Sequence, residues 1–240
     1  MFPTINAWRC CKLETIWQGF LKAVELIVTF NPEVMEITGR TIAISISSTM
    51  VAALICLPLG SLIHFNNFIG KRSLLSLIQT FYSVPTVGVG LLVFLIFSRS
   101  GPLGFLELLF TPSLMVIGQV ILVIPIILGL VIAALSGVDR IAYETAMAMG
   151  ASPFQATVVV IREARYAIYS AVIMGFGRAI SEVGLALMVG GNIRGYTRVM
   201  TTAISLETSK GDIVLSIALG IILVGLALII NFSLSRLQHR

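Results

Sequence analysis

The chain has 240 residues, 57% hydrophobic and only 11% charged, with a formal net charge of +5 and a mean hydropathy of +1.01. Soluble domains carry about a quarter of their residues as charges, so a soluble enzyme, a secreted domain and a disordered chain are all excluded. The charges are also segregated: residues 41–70, 73–98, 108–138 and 213–235 hold no Asp, Glu, Lys or Arg, and 166–193 holds only Arg178 and Glu182.

Each of those windows is longer than the ~20 apolar residues that carry a helix across a ~30 Å hydrocarbon core. The composition therefore predicts an all-α membrane protein with about five transmembrane helices. No Lys/Arg cluster exceeds the pair Lys71-Arg72, so the basic excess points to anionic lipid headgroups or an anionic solute, not to nucleic acid. Cys10, Cys11 and Cys56 form no metal or redox pattern. With two histidines, His64 and His239, neither a metal site nor a Ser-His hydrolase has its parts. The first 12 residues lack the apolar h-region of a cleavable signal sequence.

In chain order, residues 13–30 read as an amphipathic helix. Glu14, Gln18, Lys22, Glu25 and Thr29 form a polar stripe, with Trp17, Phe20, Val24, Ile27 and Val28 largely opposite. That pattern suits a helix in the membrane interface, or one packed on a partner span. Asn31-Pro32 breaks it, and Pro32 suits the first position of a short helix leading into span one. We therefore divide the chain into an N-terminal interfacial segment, 1–40, and a transmembrane domain, 41–240.

Span one is expected over about 41–63 and span two over about 74–97, interrupted by Pro85, Gly88 and Gly90. Span three covers about 112–135 with Pro125 inside it, span four about 168–189, and span five about 213–232. A proline within a span removes a backbone hydrogen bond and kinks the helix, which belongs in a bundle interior. Span four is rich in small residues, which let helices approach closely. Basic loop residues divide seven against eight between the two sides, so the positive-inside rule does not orient the chain.

The connection between spans three and four, 139–165, is distinctive. Gly150 suits the left-handed position that closes a helix. Ser152 can cap the next one, with Pro153 at its first position and Gln155 completing a capping box. The segment reads as helix, sharp turn, helix. It cannot be a span, because Glu144, Arg162, Glu163 and Arg165 would enter lipid.

Glu144-x-Ala146-x-x-x-Gly150-Ala151 resembles the EAA loop of ATP-binding-cassette (ABC) importer permeases, with Thr145 where that family has a second alanine. Further on, Gly175-Phe-Gly-Arg178-Ala-Ile-Ser181-Glu182-Val-Gly184 is similar to molybdate-type permeases. The run Met188 to Arg198, with Leu206 to Gly211 and Ser98 to Gly104, resembles the tungstate-type permeases. This resemblance implies a type I, molybdate-permease-like fold in a prokaryotic inner membrane. It implies an ATPase-coupling role for Glu144, Ala146, Gly150 and Ala151, and a tungstate substrate, with molybdate, sulfate or another oxyanion as alternatives.

No Gly-x-x-x-x-Gly-Lys-Ser/Thr sequence is present, so ATP hydrolysis is expected on a separate subunit and no cofactor or metal is expected here. The implied assembly has two copies of this chain, two cassette ATPases and an external oxyanion-binding protein. A secondary carrier or channel is the competing class, and internal repeats, which mark many carriers, are not evident.

Two further site expectations follow. Arg178, Ser181 and Glu182 lie in span four, with the two charges four residues apart and so on one helix face. They are either a structural ion pair or part of the translocation pathway. Arg194 and Arg198 are expected on the external face, within reach of the binding protein.

Overall fold

The computed structural model describes the backbone of residues 5–238 and the side chains of 14–233 and Arg236. Cys10 and Cys11 side chains lie outside the described residues. All regular elements among the described residues are helical.

Helix α1 (Ile5–Val28) packs on the last helix, α11 (Ile213–Gln238). Its buried face is Gly19, Ala23 and Leu26. Gly19 sits so close to Ile217 that no Cβ would fit. The polar stripe and the aromatic side chains Trp17 and Phe20 both remain largely exposed, so the contact is made by Gly19, Ala23 and Leu26 and not by the aromatic residues. Phe30, at φ +48°, turns the chain back towards α2.

Helix α2 (Pro32–Phe65) runs unbroken for 34 residues, or about 51 Å at 1.5 Å per residue. The expected separate short helix after Pro32 is absent: Asn31 caps α2 by accepting from the N–H groups of Glu33 (3.1 Å) and Val34 (3.3 Å). Nothing between Glu33 and Arg40 stops the helix, since one isolated glycine costs only ~1 kcal/mol. The boundary drawn at residue 40 thus falls within α2.

Helix α2 packs on α5 (Pro112–Ser136), which is capped by Thr111 and carries Pro125 without interruption. Ala52 and Cys56 are fully buried between them with Val123, Ile127 and Val131. A row of buried hydroxyls on α2 is satisfied locally: Thr41, Thr49 and Ser61 each donate to the carbonyl four residues earlier, as apolar surroundings require. Ser48 donates instead to Gln119 Oε1 of α5 at 2.8 Å.

Span two is not one kinked helix. It divides into α3 (Lys71–Thr80), a 3₁₀ turn (Phe81–Ser83) and α4 (Thr86–Phe97), bent by 96°. Pro85 holds Val84 extended, at φ −65° and ψ 131°, and the Tyr82 hydroxyl lies against Gly129 of α5.

Helices α6 (Arg140–Ala148) and α7 (Pro153–Glu163) form the connection expected between spans three and four. Span four is also divided, into α8 (Arg165–Ile180) and α9 (Gly184–Gly190), bent by 60° at residues 181–183. Gln119 Nε2 donates to the Ala179 carbonyl at 3.3 Å, next to that break.

Helix α10 (Met200–Lys210) has no counterpart among the sequence expectations, because its Thr- and Ser-rich sequence has weak intrinsic helicity. Burial of Met200, Thr201, Thr202 and Ala203 fixes it, together with Thr202 Oγ1 accepting from the Val199 N–H. Among the described residues, helices α2, α5 and α11 are each long and apolar enough to cross a bilayer, and counting each bent pair as one crossing gives five.

Candidate functional site

Three constellations carry the polar chemistry. The first is the α6–α7 helix-turn-helix. Asp139 opens α6 by accepting from the Ile141 N–H at 3.0 Å. Gly150 closes it at φ +90°, while Gly150 N donates to Met147 O and Ala151 N to Ala146 O. This 5→2 and 6→1 pair is a Schellman closure, so Ala146, Gly150 and Ala151 act together through backbone geometry. Ser152 N donates to Gln155 Oε1 (2.8 Å) and Gln155 N to Ser152 Oγ (3.3 Å), the capping box that the sequence predicts.

Glu144 pairs with Arg140 at 2.8 Å, both well exposed, which makes a weak surface pair. Ile141, Met147, Met149 and Phe154 are exposed on the same unit. The inner side is anchored by buried Ala156 and Val160 and by Tyr143, stacked on Phe65 at the end of α2. Beside it, Ser136 donates its hydroxyl proton to Ile132 O (2.8 Å). The same hydroxyl lies in hydrogen-bonding contact with His64 Nδ1 at 3.2 Å, tying the ends of α2 and α5.

The second constellation is the α8–α9 break. Arg178 Nη1 donates to Glu182 Oε2 at 2.9 Å, and the Glu182 side chain is 3% exposed against 34% for Arg178. The other carboxylate oxygen accepts from the Leu185 N–H at 2.9 Å, and the Glu182 carbonyl accepts from Thr201 Oγ1 at 2.8 Å. The pair does not lie on one continuous helix face. It bridges two helices, and Glu182, one residue before the N-cap position Val183, satisfies an N–H of the first turn of α9. Exposed Ser181 donates to the Arg178 carbonyl at 3.1 Å. Gly184 lets α9 approach Thr86 and Val87 at the start of α4.

The third lies at the start of α2. Arg194 Nη2 (2.6 Å) and Arg198 Nη1 (3.3 Å) both reach the Glu33 carboxylate. Arg40 pairs with Glu36 and donates to the Arg198 carbonyl at 3.0 Å. Glu33, Glu36 and Arg40 escape a sequence reading because the loop they hold is some 160 residues away.

Two broken helices among long apolar crossings, with an exposed helix-turn-helix joining the long α5 to the broken span that α8 opens, are the architecture of a membrane transport component. The chain belongs to the family of binding-protein-dependent transport system inner membrane components, matched over residues 56–240. It is accordingly the permease subunit of an ABC transporter, resident in the inner membrane. It is 40% identical, over 95% of its length and all of the relative, to the tungstate uptake system permease protein TupB of Peptoclostridium acidaminophilum. It is 41% identical to a probable anion ABC transporter permease of Haloferax volcanii, covering 86% of this chain and 91% of that one. Its fold matches a chain of the bacterial alginate ABC transporter, solved with an alginate pentasaccharide-bound periplasmic protein, at TM-score 0.72 and 19% identity. That match covers 93% of this chain and 85% of the other.

Proposed function

We propose that this chain forms the membrane pathway of an ATP-driven importer for an oxyanion, tungstate. The carrying observation is its 40% identity along the full length of a tungstate uptake permease. The physical need agrees: a dianion cannot cross hydrocarbon unaided, because stripping water from charge costs many kcal/mol. With no phosphate-binding loop in the sequence, the energy comes from two separate cassette ATPase subunits. An external oxyanion-binding protein delivers the solute, and two copies of this chain enclose the pathway about a two-fold axis.

In this reading Glu144, Ala146, Gly150 and Ala151 couple the membrane domain to the ATPase. Residues 139–165 are therefore cytoplasmic, together with 64–73. Residues 98–111 and 190–212 face outside, with Arg194 and Arg198 near the docked binding protein. The chain from the start of α2 at Pro32 onward is the permease domain, and the segment before it, with α1, flanks it at the membrane interface. Arg178, Ser181 and Glu182 stand at the pathway, where the partly exposed guanidinium lowers the barrier for a passing dianion.

Uptake of labelled tungstate into proteoliposomes holding this chain, its ATPase and the binding protein tests the reading. ATP-dependent uptake that molybdate and sulfate compete away only weakly is expected, and its absence overturns the substrate. Single-cysteine labelling tests the topology: position 102 should label from outside and position 153 from the cytoplasm.

A further inference from the structure

The mouth cluster at the start of α2 has an arrangement that a simple surface ion pair does not need. Two guanidinium groups, from Arg194 and Arg198, converge on the single carboxylate of Glu33. Glu33 sits in the first turn of α2, where the helix dipole also favours negative charge. The cavity's own lining holds two arginines and two glutamates, and Arg40 beside it neutralises Glu36, so both lining arginines are left to the Glu33 carboxylate.

The Arg198 side chain is only 14% exposed, and its Nε is buried without a hydrogen-bond partner among the described residues. An unmade bond of this kind is costly. A cavity of about 310 Å³ lies between the elements, lined by Pro32, Glu33, Glu36, Arg194 and Arg198 among others. Its size falls within the ~300–1,000 Å³ of small-ligand clefts.

The loop is held rigidly. Thr197 is fully buried, accepting from the Ile193 N–H and donating to the Gly190 carbonyl. Gly191, Asn192 and Gly195 hold positive φ, and Arg40 fixes the Arg198 carbonyl.

We propose that this cavity is a receiving subsite for a tetrahedral oxyanion, and that Glu33 is its built-in competitor. A carboxylate offers guanidinium groups the same fork of anionic oxygens that a tungstate edge does. In the empty state Glu33 occupies that position. An arriving dianion displaces it, pairing with Arg194 and Arg198 while the Arg40–Glu36 pair keeps the loop in place. Because Glu33 competes for the same donors, the anion is held weakly and passes on. The inference rests on the oxyanion-importer reading and adds where the solute is first received.

The test uses the full-length chain with its ATPase in lipid nanodiscs, without the binding protein, and sodium tungstate as the probe. Glu33→Gln removes the competing charge, and should tighten tungstate binding by about tenfold, the scale of one charged hydrogen bond. Arg198→Gln should abolish that binding, and Arg194→Gln, at an exposed position that burial does not constrain, should weaken it. Unchanged tungstate binding in Glu33→Gln and Arg194→Gln overturns the subsite. Adding the binding protein in a second arm reads docking: its loss in the arginine variants, with tungstate binding intact, also overturns the subsite and assigns the pair to docking. Wild-type uptake with all subunits present is measured in parallel. If it fails for tungstate, the importer reading falls; if it holds while the binding arms fail, only the subsite falls.

Discussion

Phe65, the last residue of α2, stacks on Tyr143 of α6 with ring centroids 5.3 Å apart and planes 28° apart. This contact joins a long membrane helix directly to the exposed helix-turn-helix. Aromatic pairs of this kind contribute ~0.5–1.5 kcal/mol beyond area burial. Tyr143→Ala is expected to leave the ATPase bound and hydrolysing while tungstate uptake per ATP falls. Phe65→Ala should act alike, and the double variant should be no worse than either. An unchanged ratio of uptake to hydrolysis would locate transmission elsewhere.

Gly150 tests the turn itself. Its φ of +90° penalises any side chain, although no atom lies within 4 Å of where a Cβ would stand. The penalty is therefore backbone strain of about 1–2 kcal/mol. Gly150→Val should insert normally but bind the ATPase poorly, and Gly150→Asn, which tolerates this region, should recover most of the binding. Co-purification of the two subunits is the measurement.

The ion pair at the α8–α9 break gives an asymmetric expectation. Arg178→Met leaves the buried Glu182 carboxylate without its counter-charge, and because Arg178 is 34% exposed the cost falls below the ~3–5 kcal/mol of breaking a fully buried pair. Replacing both residues, with Met and Leu, removes the orphaned charge. The double variant should therefore assemble better than the single. It still lacks the cap on the Leu185 N–H, leaving a deficit of ~1 kcal/mol. If Arg178 serves the pathway, this double variant hydrolyses ATP but moves no tungstate; full uptake would eliminate that role.

The bend of span two depends on a close approach. A Cβ on Gly129 would collide with the Tyr82 hydroxyl. Gly129→Ala is expected to lower the melting temperature in detergent, and adding Tyr82→Phe, which removes that oxygen, should restore part of the loss. No recovery would show that the Tyr82 ring carbon, 2.8 Å from that Cβ position, and not the hydroxyl sets the closeness of the approach.

Spans one, three and five are legible in the sequence because long uncharged windows admit no other solution in a membrane. The helix-turn-helix is legible for a different reason: Gly150, Ser152, Pro153 and Gln155 act on neighbours within a few residues, so their chemistry is local. The two sharp breaks are not legible. Pro85 announces an interruption but not its 96°, and no residue in 181–183 is a helix breaker by type. There the break follows from Glu182 satisfying an N–H of α9 and from Gln119 and Thr201 satisfying backbone carbonyls, contacts between distant segments. The Glu33 cluster is hidden for the same reason. Its arginines are visible in the loop before α10, but their partner belongs to a helix whose start looks, in sequence, like a connection.

The unbroken length of α2 has a mechanical meaning. One end holds Glu33 against Arg194 and Arg198, and the other holds Phe65 against Tyr143. In the proposed reading, a single helix of about 51 Å thus links the subsite assigned to arriving solute with the turn assigned to the ATPase. Displacing one end cannot leave the other unaware. Thermodynamic reciprocity then applies: if ATP binding loosens the grip of the arginines on Glu33, an anion that loosens the same grip must favour the ATP-bound motor by an equal factor.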